Sequence, residues 1–310
     1  MIRRYPPPGL LVDLPNGSKI HVHRQGSYVG PSVIFEAGIA GTSLGWALVQ
    51  PLVAEFAQAV SYDRAGLGWS TGPLTPRTVA NMVAELAAAL QTAQVEPPYI
   101  LVGHSFGGLL VQAFAHTHPS DISALVMLDP VTQSGWANAD DQRLRHLNTG
   151  VRLSRRGAWL ARFGVVRAAL TLLTSGGTKL PKLLARASAG QGNSVIERLI
   201  GEVRKLPPEV QPVIASHWSR PRSFTAMAAY LECLPACARE ALTMPVPPEI
   251  PLVILSAATA SESELAERAA WVAANRSGRH VQVEGTGHWL QLERPDLIAS
   301  VIRDLILRVR

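Results

Sequence analysis

The feature that most constrains the fold is a buried strand running straight into a glycine-bracketed turn. Pro98-Tyr99-Ile100-Leu101-Val102 is apolar and β-rich, and Gly103-His104-Ser105-Phe106-Gly107-Gly108 follows at once. A surface turn tolerates a serine, but rarely needs glycine on both sides of it. The spacing G-x-S-x-G between a strand and a helix describes a sharp turn that lifts the serine to the C-terminal edge of a sheet. Such a backbone is strained, and side chains two residues either way would collide, so both positions want glycine. The helix that follows aims its first N–H groups at any negative charge forming there.

The surrounding pattern supplies the sheet. Strands are expected at Lys19–His23, Ser32–Ala37, Ala59–Asp63, Tyr99–Val102 and Ala124–Leu128, with the turn signals Pro15-Asn16-Gly17 and Gly30-Pro31 ahead of the first two. Helices alternate with them: Val79, Met82, Val83, Leu86 and Leu90 form one stripe over Thr78–Ala93, and Gly108–His116 ends ahead of Pro119. This alternation implies right-handed crossovers and a mostly parallel sheet flanked by helices, an α/β fold. From about Val131 to Pro248 strand signals vanish and arginine, alanine and leucine dominate, which reads as several short inserted helices. The prolines of Met244–Pro248 form a stiff return linker. Sheet logic resumes with a strand at Leu252–Ser256, a helix over Glu262–Ala274, a strand at His280–Glu284 and a closing helix from Pro295 to Leu307. The expected organisation is a core over 1–132, a helical cap over 133–248 and the rest of the core over 249–310.

Composition excludes several classes. Of 310 residues, 47% are hydrophobic and 17% charged, so a large core is available and global disorder is not expected. The net charge of +6 comes from dispersed arginines. No basic stripe interleaved with aromatics appears, so nucleic acid is not an expected partner. No run reaches about 18 apolar residues and no apolar leader precedes the first strand, so a soluble cytoplasmic protein is expected. Cys233 and Cys237 are too few for a disulfide framework or a zinc site. Pro235 between them is expected to disrupt the helical turn there, and both read as buried or partly buried thiols.

A serine hydroxyl needs a base within about 3 Å to act as a nucleophile near neutral pH. Of the nine histidines, His288 sits in the glycine-bracketed loop Glu284-Gly285-Thr286-Gly287-His288-Trp289, just after a strand and ahead of the last helix. That loop lies at the sheet edge where Ser105 is expected. His21, His23, His104, His116 and His118 read as structural.

These segments together resemble the α/β-hydrolase superfamily. The resemblance covers roughly residues 18–130 and 250–310. It rests on Gly103–Gly108, on Tyr62-Asp63-Arg64-Ala65-Gly66-Leu67-Gly68-Trp69-Ser70 after an early core strand, and on Gly287-His288-Trp289 near the C-terminus. It implies a serine hydrolase, esterase-like and lidded, with Ser105 as nucleophile, His288 as base and an acyl-enzyme intermediate. A serine rather than an aspartate at the turn argues against the ester-intermediate chemistry of the family's dehalogenases and epoxide hydrolases. Peptide or amide cleavage, carbon–carbon hydrolysis and acyl transfer would use the same residues, and a binding module with little turnover is the non-enzymatic rival.

The acid is where this sequence departs from the family's pattern. The usual aspartate position after Leu252-Val253-Ile254-Leu255 is occupied by Ala260. Some members carry the acid after the preceding strand, where Val126-Met127-Leu128-Asp129-Pro130 offers Asp129 and keeps the chain order Ser, Asp, His. Glu262 and Glu264, near the vacant position, compete with it, and a dyad without an acid is the third possibility. The resemblance also implies two oxyanion donors, the backbone N–H of Phe106 and that of Ile39 in Glu36-Ala37-Gly38-Ile39-Ala40-Gly41. There Ala37 replaces a histidine whose side chain normally braces the loop. The expected substrate is a small molecule, an apolar ester, with no metal and no organic cofactor.

Overall fold

A computed structural model describes residues 5–27, 30–168 and 202–309. Eight strands form one sheet: β1 (Leu10–Asp13), β2 (Lys19–Gln25), β3 (Ser32–Glu36), β4 (Ala59–Asp63), β5 (Tyr99–His104), β6 (Ile122–Leu128), β7 (Leu252–Ala257) and β8 (Arg279–Val283). Their order is β1-β2-β4-β3-β5-β6-β7-β8. The β1–β2 and β2–β4 pairs are antiparallel and every other pair is parallel. Parallel strands need helical crossovers that cover both faces, which explains why β3, β4, β5 and β7 are buried at every position.

The helices used below are α1 (Gln50–Ala54), α2 (Val79–Thr92), α3 (Gly107–Thr117), α4 (Gln133–Ala137), α5 (Asp141–Arg162), α6 (Gln211–Trp218), α7 (Pro221–Leu242), α8 (Glu262–Ala273), α9 (Leu290–Glu293) and α10 (Pro295–Val309). The stripe on α2 packs with α3, Leu101, Leu125 and Ile254 on one face of the sheet. On the other face Val33, Phe35, Ile100, Val102 and Val126 meet α1 and the apolar side of α10. Between β6 and β7 the described residues are helical or irregular. No helix of the described residues is long and apolar enough to cross a membrane.

The sequence reading missed β1, whose four residues form the outer arm of a hairpin closed at Pro15-Asn16-Gly17, where Gly17 has φ +82°. The inserted helices are also longer than expected: α5 and α7 each run 22 residues. Pro235 does not break α7. Losing one ladder bond and crowding the preceding turn costs about 3 kcal/mol, while Tyr230, Leu234, Cys237 and Ala241 bury one face of the helix along this stretch. Cys233 is half-buried and Cys237 buried, both with free thiols.

Helix α7 is fastened to the core by polar contacts. Both carboxylate oxygens of Glu240 accept from the first turn of α2, at Val79 N–H (2.9 Å) and Ala80 N–H (2.8 Å). Gln112 of α3 donates to the carbonyls of Ala241 and Met244 at the end of α7. Tyr230 donates to the Ala65 carbonyl at 3.0 Å.

Candidate active site

The parallel register carries β5 and β6 to the same edge, with His104 opposite Leu128. One residue further, Ser105 donates its N–H to the Leu128 carbonyl (3.0 Å), and Asp129 donates its own to Leu255 (2.7 Å). The chain then turns sharply at both places: Ser105 has φ +54° and Asp129 φ +41°. Left-handed backbone is costly for a side-chain-bearing residue and persists only where neighbours over-determine it. Here the neighbours do so by closeness. A Cβ on Gly103 would stand 2.7 Å from Val111 Cγ2 and from the Gly107 carbonyl oxygen, and one on Gly107 would meet the Glu36 carbonyl at 2.4 Å. The glycines at both ends of the motif are therefore sterically required.

The Asp129 carboxylate takes three polar contacts at this edge. Its Oδ2 lies 2.6 Å from His288 Nδ1. Its Oδ1 accepts from Ala257 N–H (3.0 Å) and from Arg268 Nη1 (2.7 Å). Burial would raise its pKa, but the bond from His288 and the charge of Arg268 outweigh it and hold the carboxyl down at about 2. Asp129 is therefore an ionised acceptor at any ordinary pH. With Nδ1 occupied by the carboxylate, Nε2 is the nitrogen of His288 left to accept a proton. Ser105 and His288 share no hydrogen bond among the described residues, and catalytic contacts of this kind are often loose until substrate arrives.

His104, inside the turn, holds the loop of His288. Its Nε2–H donates to the His288 carbonyl at 2.8 Å, and its Nδ1 accepts from Gln291 at 3.4 Å. Burial, with help from nearby His288, pushes its pKa down to about 3, so the ring stays neutral. The far side of the loop is fixed by Glu293, which accepts from Gly287 N–H at 2.6 Å and pairs with Lys205.

The Glu36–Gly41 loop lies against the serine: a Cβ on Gly38 would be 3.5 Å from Ser105 Cβ and 3.2 Å from His104 Nδ1. The buried guanidinium of Arg64 holds it from behind, donating to Glu36 and to the carbonyls of Ala37, Gly38 and Ile39. In a trans peptide the carbonyl and the next N–H point opposite ways. With the Gly38 carbonyl turned to Arg64, the Ile39 N–H points away from it. Phe106 is the N-cap of α3, so its N–H is among the donors an α-helix leaves without an intrahelical acceptor.

The structure thus gathers Ser105, Asp129, His288, Phe106 and Ile39 at one sheet edge. It keeps Glu262 and Glu264 apart from them. Glu264, half-buried, closes a capping box with Ser261 at the start of α8, and Glu262 is exposed in the same first turn. Asp63 is also committed elsewhere, to His21 Nδ1 (2.9 Å), Ser43 N–H (2.8 Å) and Trp69 N–H (2.9 Å). Two buried arginines went unnoticed in the sequence. Arg268 continues an apolar stripe with Leu265 and Val272 on α8, a charge where a hydrophobe is due. Arg64 stands in the Tyr62–Ser70 segment, where nothing local names its partners. Among the described residues no cluster of His, Cys, Asp and Glu is placed to hold a metal ion.

The chain is similar to several known proteins. A sequence profile described as "Alpha/beta hydrolase family" matches residues 33–301. The uncharacterized protein YqjL of Bacillus subtilis is 38% identical over 119 residues, 37% of this chain and 46% of that protein. The chain thus spans about half the length of this curated relative. A thermophilic esterase from Thermogutta terrifontis superposes with a TM-score of 0.65 at 16% identity, covering 97% of this chain and 98% of the esterase. The epoxide hydrolase CorEH superposes with a TM-score of 0.68 at 16% identity, over 97% and 98%. At these identities the structural likeness establishes the fold alone.

Proposed function

This chain belongs to the alpha/beta hydrolase family, and we propose that within it the protein is a serine hydrolase cleaving carboxylic esters or related acyl bonds. The observation that carries this reading is the 2.6 Å contact of Asp129 with His288 Nδ1, set beside a serine held in left-handed backbone on the neighbouring strand. In the proposed reaction His288 Nε2 takes the Ser105 proton as Oγ attacks the ester carbonyl. Ionised Asp129 fixes the imidazole tautomer and stabilises the imidazolium. The N–H groups of Ile39 and Phe106 receive the developing oxyanion, each contributing a few kcal/mol to the transition state. His288 then protonates the leaving alkoxide, and water, activated by the same imidazole, releases the acid from the acyl-serine. The steps use side chains and backbone donors and call on no metal or organic cofactor.

The segment over 133–248, of which 169–201 lie outside the described residues, is proposed as the cap. Trp136, Trp218, Phe224 and Met227, all partly exposed, provide apolar surface there, while Tyr230 is buried against the core, and this surface favours a small or medium apolar acyl ester over a charged substrate. Hydrolysis of p-nitrophenyl acetate and butyrate by wild type and Ser105→Ala tests the assignment. Wild type is expected to exceed the variant by several orders of magnitude. Equal rates would replace the enzyme with a small-molecule binding module of the same fold.

A further inference from the structure

We propose that Arg64 is the positioning residue of the oxyanion hole, its one buried guanidinium bracing the loop at Ala37, Gly38 and Ile39. The inference rests on the serine-hydrolase reading for its catalytic consequence, and on geometry alone for the brace.

Three consecutive carbonyls, those of Ala37, Gly38 and Ile39, converge on the guanidinium of Arg64, Nη1 serving the first and Nη2 the other two. A loop whose successive carbonyls all face one cation has its peptide planes set, and the N–H that follows each carbonyl is set with them. Nη1 also pairs with Glu36, which in turn accepts from the Tyr62 hydroxyl. Side chains of Arg64 and Glu36 are 4% and 1% exposed, so water does not compete for these bonds. The guanidinium also lies 5.5 Å from the ring centroid of Phe106, which carries the other donor, and 4.9 Å from that of Tyr230. Arg64 thus touches both donor residues and also helix α7. A lysine could keep the charge beside Glu36, but its single ammonium cannot span three carbonyls while lying over two rings.

The test uses Arg64→Lys, and Arg64→Gln combined with Glu36→Gln so that no carboxylate is left buried and unpaired. The expected result is a fall in kcat of about 10² to 10³, the size of losing one oxyanion donor, with KM within a few-fold. Affinity for a trifluoromethyl ketone, which mimics the tetrahedral oxyanion, falls by a similar factor, while affinity for the product acid is unchanged. A merely structural residue would instead lower the amount of folded enzyme and leave the kcat of the folded fraction alone.

A readout independent of turnover accompanies this. Backbone ¹⁵N order parameters of Gly38, Ile39 and Ala40 are expected near 0.85 in wild type and below about 0.6 in the double variant. Unchanged order in the variant, or a kcat within threefold of wild type in a folded Arg64→Lys, overturns the proposal. If wild type hydrolyses no ester, the order parameters alone decide whether the brace exists, and the two failures stay distinct.

Discussion

Asp129→Asn is the substitution for which the structure gives the most detailed outcome. Two donors, Arg268 Nη1 at 2.7 Å and Ala257 N–H at 3.0 Å, both point at Oδ1. An asparagine must place its carbonyl oxygen there, because turning its NH₂ toward an arginine and an amide would set donor against donor. The NH₂ therefore faces His288 Nδ1, which must accept, and the ring proton moves to Nε2. That tautomer cannot take a proton from Ser105. The expected loss is about 10⁴ in kcat, or roughly 5 kcal/mol of transition-state stabilisation. The assay is p-nitrophenyl butyrate hydrolysis at saturating substrate, with the Ser105→Ala rate as the floor and thermal melting to confirm the fold. Adding Arg268→Met to Asp129→Asn removes one of the two donors that orient the amide and is expected to recover at least part of the loss. An Asp129→Asn protein that melts like wild type and keeps kcat within tenfold would refute the reasoning. So would a large loss in Glu264→Gln with Asp129→Asn unaffected.

Other outcomes follow from the same contacts. His217, buried edge-on against Trp69 at 4.4 Å, is pushed by burial and by the nearby charge of Arg220 down to about 4. The unfolded chain, with histidine near 6.5, binds this proton first, so stability is complete above pH 6.5 and declines as pH falls toward 4, by about 3 kcal/mol. His217→Phe should flatten the slope of melting temperature against pH across that window, and an unchanged slope would discount the residue. Glu240→Gln retains one acceptor oxygen for the two amides that open α2 and loses the charge at that helix end. It should lower chemical stability by about 1 kcal/mol, read from the urea midpoint, with little effect on kcat. Gly107→Ala would force a methyl into the Glu36 carbonyl, which is 2.4 Å from the built position. It should yield protein that is poorly folded or inactive, and a fully active variant would contradict the tight turn described here.

Legibility in the sequence followed the range of the interactions. Apolar runs bounded by turn signals located β3 to β7, and a period-3.6 stripe located α2, because burial writes itself into consecutive residues. Asp129 and His288 were picked from their places after strands, and the structure brings them into hydrogen-bonding contact although 159 positions separate them. The resemblance also pointed to the vacant position near Ala260, which Asp129 answers from the neighbouring strand. What went unread depends on partners far apart in the chain. Arg64 reads as one member of a glycine-rich turn until the carbonyls it binds are known, and Arg268 meets Asp129 across 139 positions. The course of α7 through Pro235 was illegible for a different reason: a local penalty was outweighed by packing that no local rule records. Trp159 and Phe163, aromatic residues of the inserted segment, are 60% and 68% exposed. A lining role for them draws no support from their placement.

The helical insertion divides the reacting groups in time as well as in space. During synthesis the hydroxyl and the carboxylate leave the ribosome first, and the imidazole emerges only after the inserted segment, β7 and β8. A partly made chain can therefore fold its early strands without possessing the proposed general base. On the proposed reading, Ser105 stays chemically quiet until the loop of His288 has been made and has docked against His104.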